Sequence, residues 1–187
     1  MLRLERYDLG FLKRVMHHPP RVSGADFLCL MKGLQIDERD PSVSMTPLEP
    51  ILKACGIEPI GKCVLGTVRG DIHDIGKNLV GIMFKGSGFE VIDLGVNVSL
   101  EKFMAAIRAH RPDILGMSAL LTTTMVQMRI NMEGFRAAGL LNGMKVMVGG
   151  APVNRKFADE IGAHAYGKDA ADAAERAVGW VRGSRKQ

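Results

Sequence analysis

Between Gly66 and Val80 the chain reads Gly-Thr-Val-Arg-Gly-Asp-Ile-His-Asp-Ile-Gly-Lys-Asn-Leu-Val, and within it Asp71 and His73 stand two residues apart. In an extended segment that spacing points both side chains the same way. One imidazole nitrogen can then face a metal while the carboxylate holds the N–H of the other. A single histidine after a strand fits an ordinary structural role as well. His17, His18, His110 and His164 share no metal-type spacing with it, and Cys29, Cys55 and Cys63 form no CxxC pair. A zinc or iron–sulfur centre built by the protein alone is therefore not expected. A metal that arrives with its own macrocycle needs only one protein ligand, and that chemistry stays open.

Three other ligand chemistries fail on spacing or residue type. Gly70 and Gly76 are separated by five residues and Lys77 is followed by Asn78, so the frame and the magnesium-binding hydroxyl of a P-loop are missing. No GxGxxG dinucleotide fingerprint follows the strand. A phosphoacceptor domain would need an acidic residue where Ser118 stands.

These residues need a scaffold that brings strand ends together. From Lys62 onward, apolar runs alternate with helical stretches: Cys63–Val68, then a helix from about Gly76; Val91–Leu94, then Leu100–His110; Ile114–Met117, then Thr123–Ala138; Val146–Val148, then Asn154–Ile161; Ala163–Tyr166, then Ala170–Val181. Ser99 is placed as an N-cap, Gly139 and Gly162 sit where helices should stop, and Gly86-Ser87-Gly88 reads as a helix-ending turn. Five βα units with short connections predict an α/β, flavodoxin-like (Rossmann-type) fold: a five-stranded parallel sheet with helices on both faces. Ligands bind such sheets beyond the carboxyl ends of the strands. Those ends carry Arg69 to Gly76, Ser118 to Thr122, Gly149-Gly150-Ala151-Pro152 and Tyr166-Gly167.

The segment from Gly66 to Val80 resembles the DxHxxG region of cobalamin-binding domains, in particular those of the corrinoid proteins of anaerobic methyltransferase systems and of methionine synthase. Ser118-Ala119-Leu120, with Thr122 after it, resembles the SxL motif of that family, and Gly149-Gly150 its paired glycines. The resemblance spans roughly residues 62–182. It implies that His73 displaces the cofactor's own benzimidazole and coordinates cobalt from below. It further implies that Asp71 hydrogen-bonds the other nitrogen of His73 and that Ser118 extends this relay. The displaced nucleotide tail is expected in a channel beside the first and third strands. Gly76, Leu120 and Thr122 are expected to border that channel, with Gly149 and Gly150 leaving room for the base. Ile72, Asp74, Ile75, Tyr166 and Gly167 complete the implied cofactor contacts.

Residues 1–61 read differently from 62–187. An amphipathic stretch from Leu2 to Met16 stops at His17-His18-Pro19-Pro20, a second helical stretch covers Asp26 to Leu34, and a Pro-punctuated run follows. This short N-terminal segment is expected to be a reduced cap or docking region, followed by the cobalamin-binding domain, 62–187. The chain carries 25 basic and 20 acidic side chains, and the whole excess lies after Gly61 without a basic run, so a nucleic-acid footprint is not expected. Neither a signal peptide nor a membrane span is expected, and the odd, unpaired cysteines suit a reducing cytoplasm. The 12 methionines read mostly as core filler, Met117, Met125 and Met128 included.

The resemblance implies a corrinoid methyl carrier that cycles between Co(I) and methyl-Co(III), a subunit of a methyltransferase system rather than a complete enzyme. Its expected partners are methyltransferase subunits on the methyl-donor and methyl-acceptor sides, and a corrinoid-reactivating protein. The alternative is a cobalamin-binding module without catalysis, used for sensing, storage or regulation.

Overall fold

The computed structural model describes residues 59–184. The expectations for the N-terminal segment, His17-His18 included, lie outside the described residues. The elements run in strict alternation: β1 (Gly61–Thr67), α1 (Ile75–Gly86), β2 (Phe89–Asp93), α2 (Leu100–His110), β3 (Ile114–Ser118), α3 (Met125–Ala137), β4 (Lys145–Gly149), α4 (Arg155–Ile161), β5 (Ala165–Gly167) and α5 (Ala170–Ser184). All strand pairs are parallel and the sheet order is β2-β1-β3-β4-β5. That is the flavodoxin-like order, with its switch point between β1 and β3.

Alternation along each strand divides the core in two. Val64, Leu115, Met117, Val146 and Val148 face α2, α3 and α4, where they meet Phe103, Met128, Met132 and Phe135. Cys63, Leu65, Ile114, Met147 and Ala165 face the other way, onto Phe84 of α1 and Ala173, Ala174, Ala177 and Val181 of α5. From Cys63 to Thr67 every residue of β1 is buried, which explains why this strand reads as a continuous run rather than an alternation. Met117 and Met128 are core residues, and Met125 packs partly buried against them.

Helix ends follow the local chemistry read from the sequence. Ser99 caps α2 by accepting from Lys102 N, and Gly162 ends α4 in the left-handed conformation (φ 75°). Asn154, expected inside α4, instead stands before it as its N-cap and accepts from Phe157 N at 2.9 Å. The fifth strand begins two residues later than expected because His164 closes the ladder in front of it. Its backbone N donates to Val146 O (2.8 Å), and its Nδ1 accepts from Val146 N (3.0 Å).

That bond requires an unprotonated Nδ1. Burial, and then the charge of Lys145, hold the His164 pKa below its ordinary 6.5. The unfolded chain therefore takes up a proton that the folded chain resists. Stability that is full above about pH 6.5 is lost as pH falls below that value. The urea midpoint of the wild type is expected to drop between about pH 7.5 and 5.5, and that of His164→Gln to drop less. Equal drops in the two proteins would show that this ring does not set the pH dependence.

Candidate functional site

Strand register collects the site. Thr67 pairs with Ser118, Ser118 with Gly149, and Gly149 with Gly167, so four strand ends form one row at the carboxyl edge of the sheet. The pleat turns all four toward the α1/α5 side, the face that also carries Leu65 and Met147.

The loop after β1 carries Asp71 and His73. Asp71 is fully buried, whereas the His73 side chain is 46% exposed. Asp71 Oδ1 accepts from His73 N (3.0 Å) and lies 2.7 Å from His73 Nδ1. Its Oδ2 accepts from Leu120 N (2.8 Å), Leu121 N (3.2 Å) and Thr124 Oγ1 (2.7 Å). Burial by itself raises the pKa of this carboxyl. Donation from His73 N, Thr124 Oγ1, the His73 ring and Leu120 N more than reverses that, and holds it well below the usual carboxylate range. Asp71 is therefore a fixed anion and can only accept, so the ring proton of a neutral His73 sits on Nδ1. The lone pair is left on Nε2, the tautomer that suits a metal ligand steadied by a carboxylate.

Two further residues brace this loop. Buried Thr67 donates from Oγ1 to His73 O (3.0 Å). Asn97, from the loop after β2, accepts from Gly70 N through Oδ1 (2.8 Å) and donates from its backbone to Asp71 O (2.9 Å). It does so at φ 51°, a left-handed conformation that Asn tolerates better than most residues. Neither was singled out in the sequence, since their partners lie on other elements.

Beside the row of strand ends lies a cavity of about 300 Å³. Gly76, Ser118, Gly149, Gly150, Tyr166 and Gly167 line it. The apolar wall comes from Leu65, Phe84, Met147 and Ala173. Buried Lys77 also borders the cavity, with Nζ held by Asp93 Oδ2 (2.5 Å) and Asn78 Oδ1 (2.6 Å); this ties the start of α1 to the end of β2. A Cβ at Gly76 would meet nothing within 4 Å, so that glycine leaves room rather than fitting tightly. Gly150 is constrained differently. Its φ is 122° and a Cβ there would overlap the carbonyl oxygen of Ala119, so the backbone itself excludes a side chain.

One expectation is corrected. Ser118 is not among the partners of Asp71: its position on the pleat faces the cavity, and the hydroxyl bonded to Asp71 is that of Thr124. Leu120 and Thr122 do not belong to the cavity wall; both are exposed, and Leu120 serves Asp71 through its backbone N–H. Asp74 precedes α1 without capping it and accepts instead from Asn78 Nδ2 (3.0 Å). Ile72 and Ile75, 73% and 86% exposed, stand on either side of His73, and exposed Leu120 and Leu121 follow β3. Large apolar side chains left bare at a strand-end loop mark a surface made for an apolar ligand or partner.

Residues 61–175 match the B12 binding domain family. The chain belongs to that family. Its cofactor is cobalamin or a related corrinoid, and the residues present suit it: an imidazole presenting Nε2, an apolar surround, and an adjoining cavity that glycines keep open. A corrinoid protein of Desulfitobacterium hafniense (strain Y51) is 46% identical to this B12-binding chain over 138 residues, covering 72% of this chain and 64% of its relative. Trimethylamine corrinoid protein 2 of Methanosarcina acetivorans is 45% identical over 117 residues, covering 63% of this chain and 54% of that protein. The B12-binding chain thus spans between half and two thirds of the length of these curated relatives. Among solved structures, the monomethylamine corrinoid protein of Methanosarcina barkeri superposes with a TM-score of 0.60 at 34% identity, over 82% of this chain and 69% of that one. A cobalamin-binding protein of Desulfitobacterium hafniense DCB-2 gives 0.63 at 29% identity, over 91% and 89%. The methanol:cobalamin methyltransferase complex of Methanosarcina barkeri gives 0.65 at 27% identity, over 91% and 67%. Among the described residues no helix is long and apolar enough to cross a membrane.

Proposed function

We propose that this B12-binding chain is a methyl carrier, a corrinoid subunit that accepts a methyl group from one methyltransferase and presents it to another. The observation that carries the reading is the pairing of half-exposed His73 with the fixed anion Asp71, in a chain similar to corrinoid proteins named for methylated amines. When bound, the corrinoid would supply both methyl-accepting and methyl-donating chemistry, as Co(I) and as methyl-Co(III) respectively. His73 would serve as the lower ligand through Nε2, with Asp71 orienting the ring and strengthening its donation. Gly76, Gly149, Tyr166 and Gly167 would border the displaced tail, and Ile72 and Ile75 would keep water from the ring's surroundings. The domain boundary near residue 61, the methyl-donor and methyl-acceptor partners, a reductive reactivating partner and a cytoplasmic location all belong to this reading. Buried, free Cys63 accords with such a reducing compartment.

The test is methyl transfer by the full-length chain. Loaded with cobalamin, reduced to Co(I) and mixed with the methyltransferase encoded beside it and a methylated amine or methanol, it is expected to convert to the methylated form, followed by absorbance. Tight cobalamin binding with no methylation by any neighbouring methyltransferase would instead favour a binding module for sensing, storage or regulation.

A further inference from the structure

Among the described residues, Lys77 is the only buried lysine or arginine. It stands in the first turn of α1, directly after Gly76, and the rest of that turn is bare. Ile75, Gly76, Asn78 and Leu79 are all exposed, and nothing lies within 4 Å of where a Cβ on Gly76 would project. Burial in α1 resumes only at Gly81 and Phe84.

Local chemistry does little to hold this turn. Asp74 precedes α1 without a side-chain cap bond, no acidic residue stands in the first turn, and glycine is a weak helix former. A cation near a helix N-terminus also opposes the helix dipole, so Lys77 is unfavourable there unless an anion takes its charge. Asp93, at the end of edge strand β2, supplies that anion. Lys77 Nζ donates to Asp93 Oδ2 (2.5 Å) and to Asn78 Oδ1 (2.6 Å). Asp93 is fixed in turn, because its Oδ1 accepts from Gly95 N (2.9 Å), and Asn78 Nδ2 donates to Asp74 Oδ2 (3.0 Å). A chain of bonds therefore runs from Gly95 through Asp93, Lys77 and Asn78 to Asp74, from the sheet edge to the residue before the helix.

We propose that Lys77 is a positioning residue for the cofactor tail: through Asp93 it holds the first turn of α1 in place and keeps the cavity shaped before a corrinoid arrives. The proposal rests on the reading that the tail enters this cavity. Charge-assisted hydrogen bonds are the strong ones, and this bond is the single buried attachment of the turn that carries Gly76. Without it that turn has neither cap nor packing and frays. The tail must then order it on binding, and that ordering is subtracted from affinity. His73 lies outside the helix, in a loop held by Asp71, Thr67 and Asn97, so its orientation does not depend on the same anchor.

The experiment titrates full-length wild type, Lys77→Met and Asp93→Asn calorimetrically with cobalamin and with cobinamide, a corrinoid that lacks the nucleotide tail. Lys77→Met keeps an apolar stem and loses the charge. It is expected to bind cobalamin about tenfold more weakly than wild type, and cobinamide within about twofold. Asp93→Asn keeps an oxygen for Gly95 N and loses the anion, and is expected to weaken cobalamin binding by about threefold or more. The first backbone bond of α1, from Asn78 N to Asp74 O (2.7 Å), gives a readout without cofactor. Hydrogen exchange of the Asn78 amide in cofactor-free Lys77→Met is expected to quicken about tenfold. If Lys77→Met does not fold, Asp93→Asn carries both measurements. Unchanged cobalamin affinity in Lys77→Met overturns the proposal, as does an equal loss for both corrinoids, which would assign the effect to general stability. A loss in Lys77→Met with none in Asp93→Asn also overturns it, and would make Lys77 a direct contact of the tail's phosphodiester. Wild type binding the two corrinoids equally is a separate result: the tail then does not use the cavity, and the proposal falls with that reading.

Discussion

Replacing His73 with alanine is expected to remove the protein nitrogen from bound cobalt while leaving the corrinoid attached. The reason is spatial separation within one site. The imidazole sits in the loop between β1 and α1, half exposed, whereas the cavity lies against α1, α5 and the ends of β3 to β5. No cavity residue uses His73 as a partner. Affinity for cobalamin should fall by no more than about tenfold, equivalent to about 1.4 kcal/mol. The absorbance of the bound cofactor should shift to that of cobalt without an imidazole, and the nitrogen splitting of its Co(II) form should vanish. A spectrum identical to that of wild type would show that His73 is not the ligand, whatever its bond to Asp71 does for the loop.

Gly76→Leu is expected to do the reverse, abolishing the place for the tail without harming the fold. Gly76 lies in the first turn of α1, borders the cavity, and has nothing within 4 Å of where a Cβ would project. In a helix, leucine is preferred over glycine by somewhat under ~1 kcal/mol, so thermal stability should hold or rise. Burial of a large apolar or aromatic group is worth about 1.5–3 kcal/mol, so filling the cavity should weaken cobalamin binding by about 10–150-fold. Calorimetric titration and a thermal melt on the same sample measure both sides. If the variant bound cobalamin as wild type does, the cavity would not be where the tail lies. If it bound weakly but also melted early, the effect would be one of stability. Gly150→Ala gives the contrast: its φ of 122° and the Ala119 carbonyl predict a lower melting temperature even without cofactor.

How much of this was legible before the structure depends on how far apart the interacting groups are in sequence. Asp71 and His73 are two residues apart in one segment, so their partnership could be read from spacing. The strand ends that carry Ser118, Gly149 and Gly167 could be read as well. A parallel sheet buried on both faces produces short apolar runs, and ligand-bearing residues follow directly after them. Thr124 could not be chosen from Thr122-Thr123-Thr124 by residue type alone. Selecting it requires knowing where α3 begins and which way the residue before it points. The cavity wall has the same character. Phe84 and Ala173 come from helices nearly ninety residues apart, and in the sequence they are ordinary core positions.

The sequence by itself determined the order of βα units, the strand ends that form the site, and the Asp71–His73 pair, because periodicity, capping and short-range spacing act within one element or one turn. Tertiary structure decided which hydroxyl serves Asp71. Ser118 follows the pleat of β3 and faces the cavity, while the chain after it turns back so that Leu120 N, Leu121 N and Thr124 Oγ1 converge on the carboxylate. It also separated the roles of two adjacent glycines. Gly149 borders the cavity as the end of β4, whereas Gly150 must be glycine because the backbone of Ala119 lies where any Cβ would stand. That approach of one loop to another depends on the register of β3 and β4, which only the folded sheet fixes.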